Sequence, residues 1–176
     1  MSDVMRRFLS ENTIRVHREY LAHLNLKYSV LQKSEPRLSG LPLDKIYRQN
    51  LKSDIKTEAV ALLSDIKAHE IYFSSFAEAR GKYEKIKKKY VSADSLRYEI
   101  FSLARQAYTG FLFIFFGGGE LRIDVCERPP YFIRQAPTLA LDLCEHSYFL
   151  DYGFRRDEYL RQAIGYLDLS KIEEYL

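Results

Sequence analysis

The stretch from residue 139 to residue 159, LALDLCEHSYFLDYGFRRDEY, is the part of the sequence from which the fold can be worked out. It begins with a short apolar run, places Asp142 and His146 four residues apart, and ends in aromatic residues and two arginines. A carboxylate and an imidazole at this spacing, directly after an apolar run, can converge on one point. A metal ion could occupy that point, and its other ligands would come from elsewhere in the chain.

The composition is that of a globular protein. The 176 residues are 47% hydrophobic and 29% charged, which predicts one compact unit or two small lobes that share a core. No apolar run approaches the ~20 residues of a membrane span. The N-terminal residues MSDVMRRFLSEN lack the apolar core of a signal peptide, so we expect a cytoplasmic protein that is not attached to a membrane.

Charge and cysteine usage exclude further classes of protein. The net charge of +3 is too small to indicate nucleic-acid binding. Cys126 and Cys144 are the only cysteines and do not form a CxxC motif. The sequence therefore indicates neither a disulfide framework nor a zinc site made of cysteines.

Two long amphipathic helices are predicted in the N-terminal half, each with a histidine on its apolar face. Ser10 is a suitable N-cap for the first helix, whose apolar stripe is Ile14, His17, Leu21, Leu24, Tyr28 and Leu31. The second helix is predicted over residues 53–79, with the stripe Ala59, Leu62, Ile66, His69, Phe73 and Phe76. With a predicted loop at 33–42 between them, the helices should pack as an antiparallel hairpin, so that His17 and His69 face each other.

The C-terminal half changes to a strand pattern. A basic run at 80–89 is expected to be a solvated helix end or a connection between lobes, and a third helix should follow from Ser92 or Asp94 to about Gln106. FLFIFF at 111–116, then GGGE and LRIDV, predicts a hairpin with a glycine turn and a first strand buried on both faces. A third strand is predicted at 137–143, with Asp142 near its end, followed by short helices at 145–152, 157–166 and 170–176.

Three of the histidines, His17, His69 and His146, occupy inward positions, and Asp142 is the fourth candidate ligand. Three neutral imidazoles and one carboxylate suit Fe, Mn or Zn, and an open coordination position would permit redox or Lewis-acid chemistry. A single histidine on an apolar helical face is more often a hydrogen-bonded core residue, and Asp142 alone could be a helix cap. From the pattern alone, a shared metal site and unrelated core residues remain equally open.

Several motifs resemble those of the iron/manganese superoxide dismutases. DLCEHSYFLDYGFRRDEYL, from residue 142, is similar to that family's Asp-x-Trp-Glu-His motif and to the Tyr-x-Asn-x-Arg-x-x-Tyr segment after it. LSENTIRVH resembles the entry to the family's first helix, and AHEIYF resembles its second ligand motif. TGFLFI with GGGELRI resembles its Gly-Trp-x-Trp-Leu hairpin, with Phe111 and Phe113 in place of the tryptophans. The resemblance covers most of residues 10–176 and is weak over 31–51 and the basic run.

This resemblance implies a fold and a chemistry. The fold is α+β, with an N-terminal antiparallel helical hairpin domain at 1–89. A C-terminal metal-binding domain at 90–176 holds a three-stranded antiparallel sheet flanked by helices. The metal ligands would be His17, His69, Asp142 and His146, holding one Fe or Mn ion per subunit that disproportionates superoxide to oxygen and hydrogen peroxide. In the family, the glutamate equivalent to Glu145 pairs with the last histidine ligand of a second subunit, which implies a homodimer through Glu145 and His146.

The sequence departs from the family around the ligands. The family's gate tyrosine is Asn25 here, the histidine four residues after the first ligand is Leu21, and Cys144 and Phe149 replace aromatic residues of the C-terminal motif. The glutamine that hydrogen-bonds metal-bound solvent lies, in iron-type members, at the position of Asp65. In manganese-type members it comes from the segment around Glu127. Asn25 and Asp65 are therefore the candidate catalytic positions.

These departures leave the activity and the metal open. A carboxylate at Asp65 cannot donate a hydrogen bond unless it is protonated, and if ionised it would lower the reduction potential of the metal. Superoxide dismutation could then be weak. The alternatives are a different metal-dependent oxidoreductase or hydrolase on the same scaffold, and a metal-binding homologue without catalysis. Because the usual glutamine marker is missing, the sequence does not choose between Fe and Mn.

Overall fold

The computed structural model of this chain describes residues 3–78, 82–117, 120–174 and 176. Its strands are β1 (Phe111–Gly117), β2 (Glu120–Cys126) and β3 (Leu139–Asp142), and short 3-10 segments lie at Asp3–Arg7, Pro36–Leu38 and Glu145–Ser147. The helices are α1 (Glu11–Ser34), α2 (Leu43–Arg48), α3 (Ser53–Ser74), α4 (Glu84–Tyr90), α5 (Ala93–Ala104), α6 (Phe149–Tyr152), α7 (Arg156–Gly165) and α8 (Ser170–Glu173).

Helix α1 starts where its cap predicts. The Ser10 hydroxyl accepts a hydrogen bond from the Thr13 backbone N–H at 3.2 Å, which satisfies one of the free donors at the helix start. The helix buries Ile14 and His17 on one face and packs against α3. It continues to Ser34, so the predicted loop at 33–42 begins two residues late and contains the 3-10 segment Pro36–Leu38.

Helix α3 ends earlier than the predicted residue 79. Its last residue is Ser74, and Ala79 itself lies outside the described residues. Beyond the helix, Phe76 forms an isolated antiparallel bridge with Leu167, and the Ala77 N–H donates to the Tyr166 carbonyl at 3.0 Å. This pairing satisfies the backbone groups that a further helical turn would have bonded, so the helix stops.

The sheet is three-stranded and antiparallel, in the order β2-β1-β3. The central strand β1 is buried over Phe111–Phe115, as its apolar run predicts, and Phe111 pairs with Asp142 on β3. Gly110, at the start of β1, has φ +81°, and an added Cβ there would lie 2.1 Å from the Cys126 carbonyl oxygen. The predicted glycine turn between β1 and β2 includes positions 118 and 119, which lie outside the described residues.

The elements around the sheet follow the predicted order with different bounds. Ser92 caps α5 by accepting from the Ser95 N–H at 3.0 Å. Helix α4 begins inside the predicted basic run and ends one residue beyond it, and positions 80 and 81 of that run are not described. Strand β3 is shorter than predicted. The helix predicted at 145–152 is divided into the 3-10 segment and α6, since Tyr148 leaves helical geometry between them.

Two hydrophobic clusters form the core. The larger one joins the N-terminal Val4–Leu9 region and the end of α3 to the sheet, α5 and α7, and the smaller one lies among α1, α2 and α3. The α+β class with an N-terminal helical hairpin is therefore confirmed, whereas the division into domains at 89/90 stays a prediction. Within the described residues, no helix is both long and apolar enough to cross a membrane.

Candidate metal centre

Four potential ligands converge between the helical hairpin and the sheet. His17 comes from α1, His69 from α3, Asp142 from the end of β3, and His146 from the following 3-10 segment. One donor atom of each residue lies within 4.8 Å of all the others. The structure thus brings together all of the residues that the sequence predicts as ligands, from four separate elements.

Asp142 Oδ2 lies at the centre of this group. Its distances to Nε2 of His146, His17 and His69 are 3.0, 3.1 and 3.6 Å. The Nε2 atoms of His69 and His146 are 3.4 Å apart. Atoms that are each bonded to one ion at about 2.1 Å would be separated by about 3.0–3.6 Å as neighbours, so these spacings suit a single first-row ion.

Several of these buried atoms have no hydrogen-bond partner among the described residues. They are His17 Nε2, His17 Nδ1 and Asp142 Oδ2, although His17 and Asp142 are fully buried. His17 Nε2 and Asp142 Oδ2 are close enough for an ion pair, but they do not form an aligned hydrogen bond. A buried polar atom without a partner costs roughly 1–3 kcal/mol, and a shared cation would remove that cost. The residues therefore fit a bound metal ion.

The Asp142 carboxylate is oriented by the turn that follows β3. Its Oδ1 accepts a hydrogen bond from the Cys144 backbone N–H at 2.8 Å, which leaves Oδ2 directed at the histidines. The Asp142 carbonyl accepts a hydrogen bond from the buried Tyr159 hydroxyl at 2.8 Å. Such supporting contacts fix the direction of a ligand before the ion binds.

His69 is oriented by Asp65, one helical turn earlier. The Nδ1 atom of His69 lies 2.8 Å from the Asp65 carbonyl and 3.2 Å from Asp65 Oδ1. Since both oxygens are acceptors, Nδ1 carries the proton and Nε2 keeps its lone pair for a metal. The structure thus places the predicted catalytic residue Asp65 on the Nδ1 side of the candidate ligand His69. Its role in catalysis stays a prediction.

The electrostatics of the group favour an ionised Asp142 and a neutral His17, whereas those around His69 favour its protonated form. Burial opposes ionisation of Asp142, but the close approach of the His146 and His17 imidazoles holds its pKa well below its usual range. Burial lowers the pKa of His17. Burial would also lower the pKa of His69, yet its hydrogen bond to Asp65 and the Asp142 charge raise it overall. An ionised carboxylate and a neutral His17 are suited to a divalent or trivalent ion.

Aromatic rings surround the ligands, and Tyr20 is one that the sequence analysis missed. Its ring stacks on His146 at a centroid distance of 4.5 Å and lies 5.3 Å from the ring of His69. Burial and the charges of Asp65, Cys144 and Asp142 raise the pKa of Tyr20 to about 12. Tyr20 follows His17 by three residues, so both lie on nearly the same face of α1. This spacing is the sequence feature that could have identified Tyr20 as part of the site.

The inner side of the group is closed by other rings. Tyr72 and Phe73 each lie 4.9 Å from the His17 ring, and Phe111 lies 5.1 Å from His69. Tyr72 and Phe111 are fully buried, so both rings belong to the core on this side of the group.

Asn25 and Glu127 are exposed. The Asn25 amide donates to the Leu21 carbonyl of its own helix at 2.9 Å. Among the described residues no contact joins Asn25 to the four candidate ligands, and its catalytic role stays a prediction. Glu145 is also exposed, next to His146, whose side chain is 26% exposed.

The turn after β3 brings Cys144 into contact with Asp142. The turn after β3 directs its backbone N–H to Asp142, while its sulfur accepts from the Gly110 N–H at 3.1 Å. Burial, followed by the Asp142 charge, raises the pKa of the thiol to about 12. The sulfur is therefore a protonated thiol at neutral pH, as expected for an inert buried cysteine.

Comparison with known proteins points to one family. The family model described as "Iron/manganese superoxide dismutases, C-terminal domain" matches residues 77–175. One similar curated protein is superoxide dismutase [Fe] 3, chloroplastic, of Arabidopsis thaliana. It is 21% identical over 181 residues, which cover 94% of this chain and 67% of that protein.

Proposed function

Because this chain belongs to the iron/manganese superoxide dismutase family, we propose that it disproportionates superoxide with one Fe or Mn ion per subunit. The observation that carries the proposal is the convergence of His17, His69, Asp142 and His146 on one point. Such an ion would supply one-electron chemistry, in which one superoxide is oxidised to oxygen and a second is reduced to hydrogen peroxide with uptake of two protons.

The ligand residues would hold the ion and leave the site positively charged. Asp142 is the only carboxylate in the group, and a neutral imidazole at each of the other positions adds no charge. One negative charge cannot neutralise a divalent or trivalent cation. The small anion superoxide would therefore be attracted to the centre, more strongly where burial lowers the local dielectric constant.

Tyr20 would form the wall on the open side of the site. Its side chain is 36% exposed while its ring covers His146, so it lies between the ligands and solvent. With a pKa of about 12, its phenol keeps its proton at neutral pH and can donate a hydrogen bond to an entering anion. On the buried side, Tyr72 and Phe111 exclude water from the ligands.

Asp65 would act by positioning His69 and by adding negative charge beside it. The contact of its side chain with His69 Nδ1, at 3.2 Å, makes the imidazole a stronger ligand for a more oxidised ion. This charge supports the expectation of a lowered reduction potential and of weak dismutation. Asn25, on the exposed face of α1, remains a second candidate position for guiding the substrate.

A homodimer through Glu145 and His146 is part of the proposal. Glu145 is exposed, and the nearby apolar side chains of Phe149, Leu150 and Phe154 are 42%, 57% and 96% exposed. A second copy would cover this apolar surface and place its Glu145 against the partly exposed His146. Size-exclusion chromatography of wild type and Glu145→Ala should give a dimer and a monomer, whereas an unchanged elution volume for the variant would contradict this interface.

The metal and the location in the cell remain predictions. A carboxylate at position 65 differs from the glutamine marker, so it does not decide between Fe and Mn. The cytoplasmic location rests on the sequence alone, and the name of the Arabidopsis thaliana relative assigns that protein to the chloroplast.

A second candidate function is metal binding with a different reaction or none. The observation that favours it is the altered surroundings of the ligands, where the Cys144 backbone contacts Asp142 and the Asp65 side chain contacts His69. Another metal-dependent oxidoreductase or hydrolase, or a non-catalytic homologue, would keep the ligands while those contacts change. Only the reaction with superoxide separates these possibilities.

Metal analysis combined with a superoxide assay tests the proposal. The purified protein, reconstituted with Fe or Mn, should bind about one ion per chain and consume superoxide. Bound metal without superoxide consumption would support the second candidate. Failure to bind Fe, Mn or Zn would contradict both.

A further inference from the structure

A pocket of about 280 Å³ lies between α5 and α7, and none of its lining residues belongs to the candidate metal centre. Ligand pockets usually measure roughly 300–1,000 Å³, so this pocket suits a compound with a single ring. It is lined by Arg97, Tyr98, Phe101, Arg161, Ile164 and Gly165.

Both arginines in the pocket keep hydrogen-bond donors that the described residues do not use. Arg161 lies with its guanidinium carbon 4.8 Å from the centre of the Phe101 ring, and no carboxylate of the described residues pairs with it. Arg97 pairs with Asp94 through Nη1 at 3.1 Å, but its Nε is buried and has no partner among the described residues. An unpaired buried donor on a charged group is costly unless an acceptor binds there.

The nearby carboxylates neutralise this positive charge only in part. Asp157 pairs with Arg105 at 3.2 Å, and Glu158 pairs with Arg155 at 2.7 Å. Asp94, the partner of Arg97, is 91% exposed, where solvent screens its charge. The pocket therefore presents two guanidinium groups to an incoming ligand.

The remaining wall of the pocket is apolar and aromatic. Phe101 faces the guanidinium of Arg161, and Tyr98 is 73% exposed although it is a large aromatic residue. Ile164 is buried and forms part of the lining. Rings of this kind stack with another planar ring, while the guanidinium fork matches a carboxylate or phosphate.

We propose that this pocket binds a small aromatic anion, that is, a single ring bearing one carboxylate or phosphate group. The two parts of the ligand meet different parts of the pocket. The anionic group accepts hydrogen bonds from Arg97 and Arg161, and the ring lies against Phe101 and Tyr98. Neither part of the ligand alone uses the whole site. Because no pocket residue belongs to the candidate metal centre, binding here does not depend on superoxide chemistry.

Calorimetric or NMR titration of the full chain with phenyl phosphate and benzoate tests the proposal. Inorganic phosphate serves as the anion without a ring, and phenol as the ring without an anion. At least one of the aromatic anions should bind saturably and at least about tenfold more tightly than either control compound. Equal binding of inorganic phosphate, or no saturable binding of both aromatic anions, overturns it.

Two variants locate the binding site. Arg161→Gln removes an exposed charge and should weaken binding about tenfold. Gly165→Leu adds bulk at the pocket lining without removing charge, and an added Cβ there meets nothing within 4 Å, so the fold should tolerate it while binding is lost.

Arg122→Gln is the matched control. Arg122 also lies over a phenylalanine, 4.5 Å from the centre of the Phe115 ring, but it is paired with Asp124 at 2.8 Å and lies outside the pocket. It should leave binding unchanged. Equal weakening by Arg122→Gln and Arg161→Gln, or undiminished binding by Arg161→Gln and Gly165→Leu with native circular dichroism, would overturn the assignment.

Discussion

The buried and the exposed sides of the candidate metal centre differ in how their residues are held. On the buried side, Asp142 and His17 have no exposed side-chain surface, and Asp142 is fixed by the Cys144 backbone and the Tyr159 hydroxyl. On the exposed side, the side chain of His146 is 26% exposed and Tyr20 is 36% exposed. Tyr20 is not among the four candidate ligands, so we expect the ligands to hold an ion and Tyr20 to control what reaches it.

This difference explains how the ligands can match a family while their surroundings depart from it. Phe149 and Asn25 are exposed, so substitution there does not disturb the core. The buried ligands His17 and Asp142 have no such freedom, because their buried atoms lack hydrogen-bond partners among the described residues and need a shared ion. We therefore expect metal binding and dismutation to be separable, and substitutions on the two sides of the site should separate them.

The largest expected effect is the loss of metal from Asp142→Asn. This change removes the only negative charge among the four ligands, and we expect the affinity for Fe or Mn to fall at least about 100-fold. Metal content per chain, measured after dialysis, checks it. Asp54→Asn changes an exposed carboxylate and should keep the metal. Full metal content in Asp142→Asn would show that Asp142 is not a ligand.

A smaller effect is expected from Asp65→Asn on the buried side. The variant keeps the Asp65 backbone contact to His69 Nδ1 but removes a charge 3.2 Å from that atom. The metal should stay bound, and its reduction potential should rise by about 60 mV, which corresponds to tenfold in a one-electron equilibrium. Redox titration of the metal-loaded variant checks it, with Asp54→Asn as control. An unchanged potential would show that the Asp65 charge does not reach the ion.

Tyr20→Leu should change activity by a few-fold while the metal remains bound. The substitution removes the ring that covers His146 and the phenol that can donate a hydrogen bond. Tyr20→Phe keeps the ring and separates the two contributions. Superoxide consumption per bound ion is the measurement, with Tyr47→Leu, at another exposed tyrosine, as the matched control. Loss of metal from Tyr20→Leu would show that Tyr20 also helps to hold the ion.

The smallest effect concerns the stability of the metal-free protein at mildly acidic pH. Because burial lowers the pKa of His17 in the folded state, the unfolded chain binds a proton there more readily. The free energy of unfolding should therefore decrease as pH falls below about 6.5, the ordinary histidine pKa, towards the lowered folded value. His69, with a raised pKa, contributes in the opposite direction, since its stabilisation is complete below the ordinary pKa and is lost as pH rises through the folded value.

The variant His17→Gln isolates this contribution. Urea unfolding between pH 7 and pH 5 should show a weaker decrease for His17→Gln than for the wild type. His23→Gln changes an exposed histidine on the same helix and should follow the wild type. Parallel curves for wild type and His17→Gln would contradict a lowered pKa of His17.

Local patterns in the sequence were enough to predict most helices and strands and to single out the four candidate ligands, whereas their union in one site and the three-stranded sheet came from the resemblance to a family. The three- and four-residue spacing put His17 and His69 on apolar faces, and the apolar run at 111–116 gave the buried strand β1. Contacts between distant segments could not be predicted in this way. Helix α3 ends early because of pairing with Tyr166 and Leu167, which no local signal at residue 74 indicates.

The same limit applies to the surroundings of the site. Tyr20 was missed because its importance comes from stacking on His146, which lies far along the chain. Asp65 was predicted as a catalytic position from a resemblance, and only the folded helix shows that its oxygens contact His69 Nδ1. Ligand identity follows from residue type and spacing, whereas the orientation of each ligand depends on tertiary contacts.

Anomalous diffraction from crystals of the metal-reconstituted protein, recorded at the iron and manganese absorption edges, tests the central claim most directly. We predict a single peak per chain, about 2 Å from Nε2 of His17, His69 and His146 and from Oδ2 of Asp142. A peak at any other position, or no peak in protein that has been supplied with both metals, would contradict the assignment of these residues as the metal centre.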